Sequence, residues 1–80
     1  MKHVYLIRSL RRPHHLYVGI TSDVDARMED HNAGRSPHTR KYTPWELVAA
    51  VRFEDDSKAV AFEQYLKPGS GRAFAKRHFW

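Results

Sequence analysis

Leu16-Tyr17-Val18-Gly19-Ile20-Thr21-Ser22-Asp23 is the stretch in which the chain changes period from strand to helix. Residues 15–21 are dominated by aromatic, β-branched and aliphatic side chains and read as a strand. Leu16, Val18 and Ile20 share one face of it and are expected in the core. Tyr17, Gly19 and Thr21 share the other, a recess edged with hydroxyls. A glycine inside a strand marks a bulge or the close approach of a ligand or another backbone. Ser22 and Asp23 are helix N-cap residue types, and Val24, Met28 and His31 then recur at i, i+4, i+7. That spacing predicts a helix over residues 23–32, stopped by Asn32-Ala33-Gly34.

Working outward, residues 3–8 (His-Val-Tyr-Leu-Ile-Arg) read as an earlier strand. A short connection holding Arg11, Arg12 and Pro13 predicts an antiparallel hairpin with the strand at 15–21. Tyr5 lies between His3 and Ile7 on one face, opposite Val4 and Leu6; if Tyr5 and Tyr17 point the same way, two phenols share one recess. Downstream, residues 35–44 form a basic loop with Pro37 and Pro44, and Trp45 to Phe53 reads as a third strand. Asp55-Asp56-Ser57 starts a second helix that runs to about Lys67, where Pro68-Gly69 stops it, and a last helix covers Gly71 to about His78. The order ββαβαα implies a single domain over residues 1–80. It is α/β (α+β) in class: a small three-stranded, mainly antiparallel sheet flanked by helices.

Composition narrows the function. Eighty residues without a cysteine leave no disulfide framework and no Cys-based zinc site. The adjacent His14 and His15, expected on opposite strand faces, do not make a zinc pair. Fourteen Lys and Arg against nine Asp and Glu give a net charge of +5, which points to a polyanionic partner. Only four apolar residues, Val4 to Ile7, precede Arg8, too few for a secretory or membrane-spanning segment. The expectation is a cytoplasmic, bacterial-type protein with no membrane association.

Several residues are not explained by the core. Arg27 and His31 are i,i+4 neighbours at the edge of the helical stripe, with Cβ atoms about 5–6 Å apart, a pairing that suits a phosphate. Glu63 borders the stripe made by Ala59, Phe62 and Leu66, with Val60 beside it. A charge there needs compensation by Arg27, by a basic residue of the last helix, or by a divalent cation. Arg35, Arg40 and Lys41, with His38, Tyr42 and Trp45, make a basic and aromatic loop; Lys67, Arg72, Lys76 and Arg77 form a second basic strip. Such residues grip phosphates without reading sequence, and the loop aromatics are expected to stack on unpaired bases.

Together these positions resemble a GIY-YIG nuclease domain, most closely the short stand-alone bacterial type. His3-Val4-Tyr5 stands for the first element and Tyr17-Val18-Gly19 for the second. Arg27 and His31 fall in Asp25-Ala-Arg-Met-Glu-Asp-His-Asn32, similar to the family's helix, and Glu63 in Phe62-Glu-Gln-Tyr-Leu-Lys67 matches its late glutamate. The resemblance covers nearly the whole chain. His3 replaces the first Gly of the family pattern, Ile20 stands where some relatives carry Lys, and no Asn occurs in the C-terminal helices.

The resemblance implies a divalent-metal-dependent endonuclease that hydrolyses phosphodiester bonds in DNA or structured nucleic acid, in repair or recombination. It implies that Glu63 holds one Mg²⁺ or Mn²⁺, that Arg27 clamps the phosphate, and that His31 assists. Tyr5 becomes general base or base-relay with Tyr17 ordering phosphate or water, roles the two could exchange. Gly19, Arg35, Arg40, Lys41, Arg72, Lys76 and Arg77 are the expected nucleic-acid contacts. A phenol of pKa about 10 working near pH 7 needs a drop of roughly three units, about 4 kcal/mol, which an adjacent Arg and cation could supply. A nucleic-acid-binding module of the same fold with little cleavage is the second reading. A protein partner or homodimer stays open.

Overall fold

Val4, Tyr5, Leu6 and Ile7 are all essentially inaccessible to solvent, which only the middle strand of a sheet covered on both faces permits. The computed structural model describes residues 1–80. Its elements are β1 (Lys2–Ser9), β2 (Leu16–Thr21), α1 (Val24–Asn32), a 3₁₀ turn at Arg40–Tyr42, β3 (Trp45–Phe53), α2 (Asp56–Tyr65) and α3 (Gly69–His78). The strand order is β2-β1-β3 and both pairings are antiparallel. The register sets Tyr5 against Gly19 on one side and against Ala50 on the other. Between Leu6 and Ile7 the β1–β3 pairing slips, leaving Val48 as the extra residue of a bulge.

The two faces carry separate cores. Val4 and Leu6 pack with Ala59, Leu66 and Ala75 of the later helices, joined by Val18, Ile20, Phe62, Phe74 and Trp80. Tyr5 and Ile7 pack on the opposite face with Trp45, Tyr17, Met28 and Tyr42. Fully burying an aliphatic or aromatic side chain contributes about 1.5–3 kcal/mol, so β1 anchors both layers.

The caps form as their residue types dictate. Asp23 accepts the Ala26 N–H at 3.1 Å. Asp55 accepts the Ser57 N–H at 2.9 Å and its hydroxyl at 2.6 Å, bonds that hold the Asp55 carboxyl below its ordinary pKa. Asn32 does more than end a helix: its side chain accepts the Trp45 N–H at 2.6 Å and donates to the Trp45 carbonyl at 3.1 Å, tying α1 to the start of β3.

Some expectations need correction. Leu16, the first residue of an edge strand, is 44% exposed because it lines an open groove rather than the core, and Val60 is 42% exposed. α2 stops at Tyr65 rather than near Lys67, and α3 begins at Gly69 rather than Gly71. His14 sits in the turn before β2, where strand alternation does not apply, and its ring lies 4.5 Å from that of His15. Gly71 explains the tight join of α2 and α3, since a Cβ there would collide with the backbone of Tyr65 and Leu66. Gly71→Ala should therefore lower the free energy of unfolding by at least about 1–3 kcal/mol, read from the urea midpoint.

Candidate active site

Tyr5 crosses from β1 over its neighbour on β2. A Cβ on Gly19 would overlap the Tyr5 ring and hydroxyl, so only glycine leaves room for the phenol at this register position. That explains the glycine inside a strand, which lies buried under a side chain at a regular ladder position. Gly19, expected among the nucleic-acid contacts, is placed as the floor beneath Tyr5.

The Tyr5 hydroxyl lies 2.8 Å from His31 Nε2 and accepts from Arg27 Nε at 3.3 Å. His31 is the one fully buried residue of α1, and its Nδ1 lies 2.6 Å from the hydroxyl of Thr39, also fully buried. Tyr17 completes the cluster, its ring 6.3 Å from that of Tyr5 and 5.3 Å from that of His31 between centroids. Four of the five expected catalytic residues, Tyr5, Tyr17, Arg27 and His31, therefore meet in one place. Thr39 was invisible in the sequence, being one of several polar residues in an aperiodic loop.

Burial dominates the acid–base properties. It pushes the Tyr5 phenol above its ordinary pKa; the Arg27 hydrogen bond opposes this, while Tyr17 and Glu63 add to the rise. Arg27 alone therefore does not supply the lowering expected from an adjacent arginine and cation together: without a cation the balance at Tyr5 runs upward. Arg27 can only donate, which leaves the phenolic hydrogen free for His31 Nε2 when the imidazole carries its own hydrogen on Nδ1. In that tautomer the Nδ1 hydrogen faces the Thr39 hydroxyl. His31 is itself held below its ordinary pKa of 6.5 by burial and by Arg27, with Asp30 opposing. Both shifts favour the neutral forms, a neutral phenol beside a neutral imidazole.

Glu63 stands on α2, 14% exposed, and makes its ion pair with Lys67 at 2.5 Å. Neither Arg27 nor α3 supplies the compensating charge. Lys67, one turn on and 56% exposed, does so. Glu63 touches none of the other four and reaches Tyr5 only through charge. No group of three or more His, Cys, Asp or Glu residues gathers as a ready-made metal site. One carboxylate with a displaceable lysine fits a hard cation that keeps most of its waters and shares a substrate phosphate.

The expected nucleic-acid residues divide. Arg40, Lys41, Arg72, Lys76 and Arg77 are exposed. Arg35 is exposed but paired with Asp30 at 2.8 Å. Trp45 is buried, its indole donating to the Thr39 carbonyl at 2.8 Å, so it cannot stack on a base. Tyr42 is stacked on His15 at 3.8 Å. Arg11 donates to the Lys41 carbonyl at 3.0 Å, which brings the hairpin turn, with Arg11 and Arg12, beside the basic loop.

The GIY-YIG catalytic domain model matches residues 1–77, and the chain belongs to that family. Among its relatives, the structure-specific endonuclease subunit slx1 of Talaromyces stipitatus is 43% identical over 65 residues, which cover 74% of this chain and 17% of that protein. A UPF0213 protein of Natronomonas pharaonis is 42% identical over 53 residues, covering 65% of this chain and 62% of that protein. The solution NMR structure of a UPF0213 protein from Bacillus halodurans shares the fold with a TM-score of 0.57 at 30% identity, over 96% of this chain and 82% of that one. The chain thus spans only about a fifth of the length of the slx1 subunits it matches. No helix is long and apolar enough to cross a membrane.

The lowered pKa of His31 has a sign that can be checked. Below pH 6.5 the unfolded chain binds a proton at His31 that the folded chain refuses, so stability is present above that pH and is lost as pH falls through it. Urea unfolding between pH 7.5 and 5 should show this decline, at most about 1.4 kcal/mol per pH unit from one group. His31→Gln should flatten it, and identical slopes for both proteins would contradict a buried neutral imidazole.

Proposed function

We propose that this chain is an endonuclease domain that hydrolyses phosphodiester bonds in DNA or structured nucleic acid with the help of Mg²⁺ or Mn²⁺. The observation that carries the reading is the hydrogen-bonded line Arg27–Tyr5–His31–Thr39 beside Tyr17. A tyrosine hydrogen-bonded to a neutral histidine gives the proton of an attacking water a route. Membership of a family described as a catalytic domain, and kinship with proteins named as structure-specific endonuclease subunits, support the same reading.

The chemistry follows from the wiring. As Arg27 turns from the Tyr5 oxygen to the phosphate, water takes its place there and gives that oxygen a proton while the Tyr5 hydrogen passes to His31 Nε2, so no free phenolate has to form in a buried site that disfavours it. The water oxygen attacks phosphorus, the bond to the 3′ oxygen breaks, the leaving oxygen takes a proton from solvent, and the proton on His31 returns through Tyr5 to solvent. Arg27 has donors beyond the one bound to Tyr5, and its side chain is 34% exposed, so it can clamp the phosphate as negative charge builds. Tyr17 lies beside Tyr5 with its hydroxyl free to order phosphate or water. Glu63 would hold the cation, which supplies Lewis-acid neutralisation of the phosphate and the leaving oxygen. Arg40, Lys41, Arg72, Lys76 and Arg77 grip the backbone of the substrate.

Replacing Tyr5, Tyr17 or His31 by Phe, Phe or Gln should lower divalent-dependent cleavage by about 10²-fold or more while nucleic-acid binding persists. Glu63→Gln should abolish cleavage and change stability by no more than about 0.5 kcal/mol, because its partner is an exposed lysine one turn away. Cleavage at the wild-type rate by Glu63→Gln would overturn the role given to Glu63. Binding without cleavage by the wild-type protein, over duplex, flap, junction and single-stranded substrates, would make the chain a binding module instead.

A further inference from the structure

Beside the reaction centre, on the outer side of β2, lies a groove of about 810 Å³ whose one wall is Leu16, Tyr17 and Val18 and whose other is α3 and the residues around it. Its volume falls within the roughly 300–1,000 Å³ of sites that enclose small organic ligands. Leu66, Ala73 and Trp80 complete an apolar interior, and Lys67, Arg72 and Lys76 ring it with positive charge. Tyr17 belongs to both places, as a wall of this groove and as a member of the cluster with Tyr5 and His31.

The two kinds of lining define an occupant. Arg72 and Lys76 are one turn apart on α3, both exposed, and neither has an acidic neighbour within ion-pair distance. They suit phosphates. The apolar interior does not, and Leu16 remains 44% exposed there although it lies in a strand. A flat apolar face attached to a phosphate is the description of a nucleobase on its strand. In a duplex both faces of each base are stacked and only phosphates and groove edges are offered; an unpaired base can lie against aromatic and aliphatic side chains. Arg77, by contrast, lines a separate shallow cleft with Phe74 and His78 on another side of α3. The basic strip of the sequence is therefore two surfaces.

We propose that this groove is a subsite for an unpaired nucleotide of the strand being cut, with the base against Leu16 and Trp80 and its phosphate on Arg72 and Lys76. Tyr17 is the wall through which the subsite adjoins the scissile phosphate. That the strand is the one being cut rests on the nuclease reading; the capture of an unpaired nucleotide does not.

Tryptophan emission tests it directly, because the two tryptophans differ: Trp45 is buried in the other core and Trp80 lines the groove. The protein is titrated without divalent cations, first with a short single-stranded oligonucleotide, then with a blunt duplex of equal length, then with polyglutamate. A saturable change of emission with the single strand is expected, at an affinity about tenfold or more above that for the duplex. Trp80→Phe should remove the change. The paired substitution Arg72→Gln with Lys76→Gln should lower the slope of log affinity against log salt by about 1.4, two phosphate contacts on a single strand. Leu16→Ala, at an exposed position, should weaken the single strand and leave the duplex unaffected. Equal affinity for duplex and single strand, equal affinity for polyglutamate, an unchanged salt slope, or an emission change that survives Trp80→Phe would each overturn the subsite. Groove binding as described with no cleavage of any substrate would sink the nuclease reading alone; cleavage of plain duplex with no binding in the groove would sink the subsite alone.

Discussion

His31 is completely buried, ionisable, and bonded at both ring nitrogens, to the Tyr5 hydroxyl and to Thr39. A buried imidazole left unpaired would cost about 1–3 kcal/mol at each nitrogen, so both partners must be brought to it. Much of the structure on this face follows. Tyr5 must project from the middle strand across β2, which requires glycine at position 19. Thr39 must turn inward from an otherwise basic, exposed loop, and the indole of Trp45 holds that loop in place through the Thr39 carbonyl. Asn32 then fixes Trp45 to the end of the same helix that carries His31. The Tyr5–His31 cluster and the hydrophobic core of this face are one construction.

Its electrostatics favour a shared proton over a lowered phenol. Burial, Tyr17 and Glu63 all push Tyr5 up, and the Arg27 hydrogen bond does not reverse them. A catalyst that needed free phenolate would have to overcome this in every turnover. One that passes the proton along to a neutral histidine does not, and the same burial that raises Tyr5 keeps His31 neutral and able to accept. Glu63 is arranged differently: it is partly accessible and paired with an exposed lysine rather than a buried arginine, an ion pair whose loss the fold tolerates.

Strands, helix starts and their order were legible because they depend on local chemistry: β-branched runs, Asp23 and Asp55 as caps, Gly and Pro as stops. Arg27 and His31 were legible as a pair through helical spacing, and Glu63 through its conflict with an apolar stripe. What was hidden depended on distant parts of the chain. Thr39 contacts His31 from eight residues away across an aperiodic loop, and Trp45 reads as an available aromatic until β3 and Asn32 enclose it. Gly19 signalled that something came close, but not that the visitor was Tyr5. The upward push of burial on Tyr5 was hidden for the same reason, since it depends on how completely the phenol is covered. α3 read as one basic strip because spacing alone did not reveal that β2 begins beside Arg72 and Lys76 and not beside Arg77.

The central claim is that Tyr5 donates its hydrogen to a neutral His31, and the ring nitrogens of that histidine report on it directly. In ¹⁵N-labelled protein at pH 7, NMR should show His31 as the neutral tautomer with hydrogen on Nδ1 and Nε2 unprotonated, and Tyr5→Phe should shift the Nε2 resonance towards that of a nitrogen without a donor. A hydrogen on Nε2, or an imidazolium at that pH, would contradict the account.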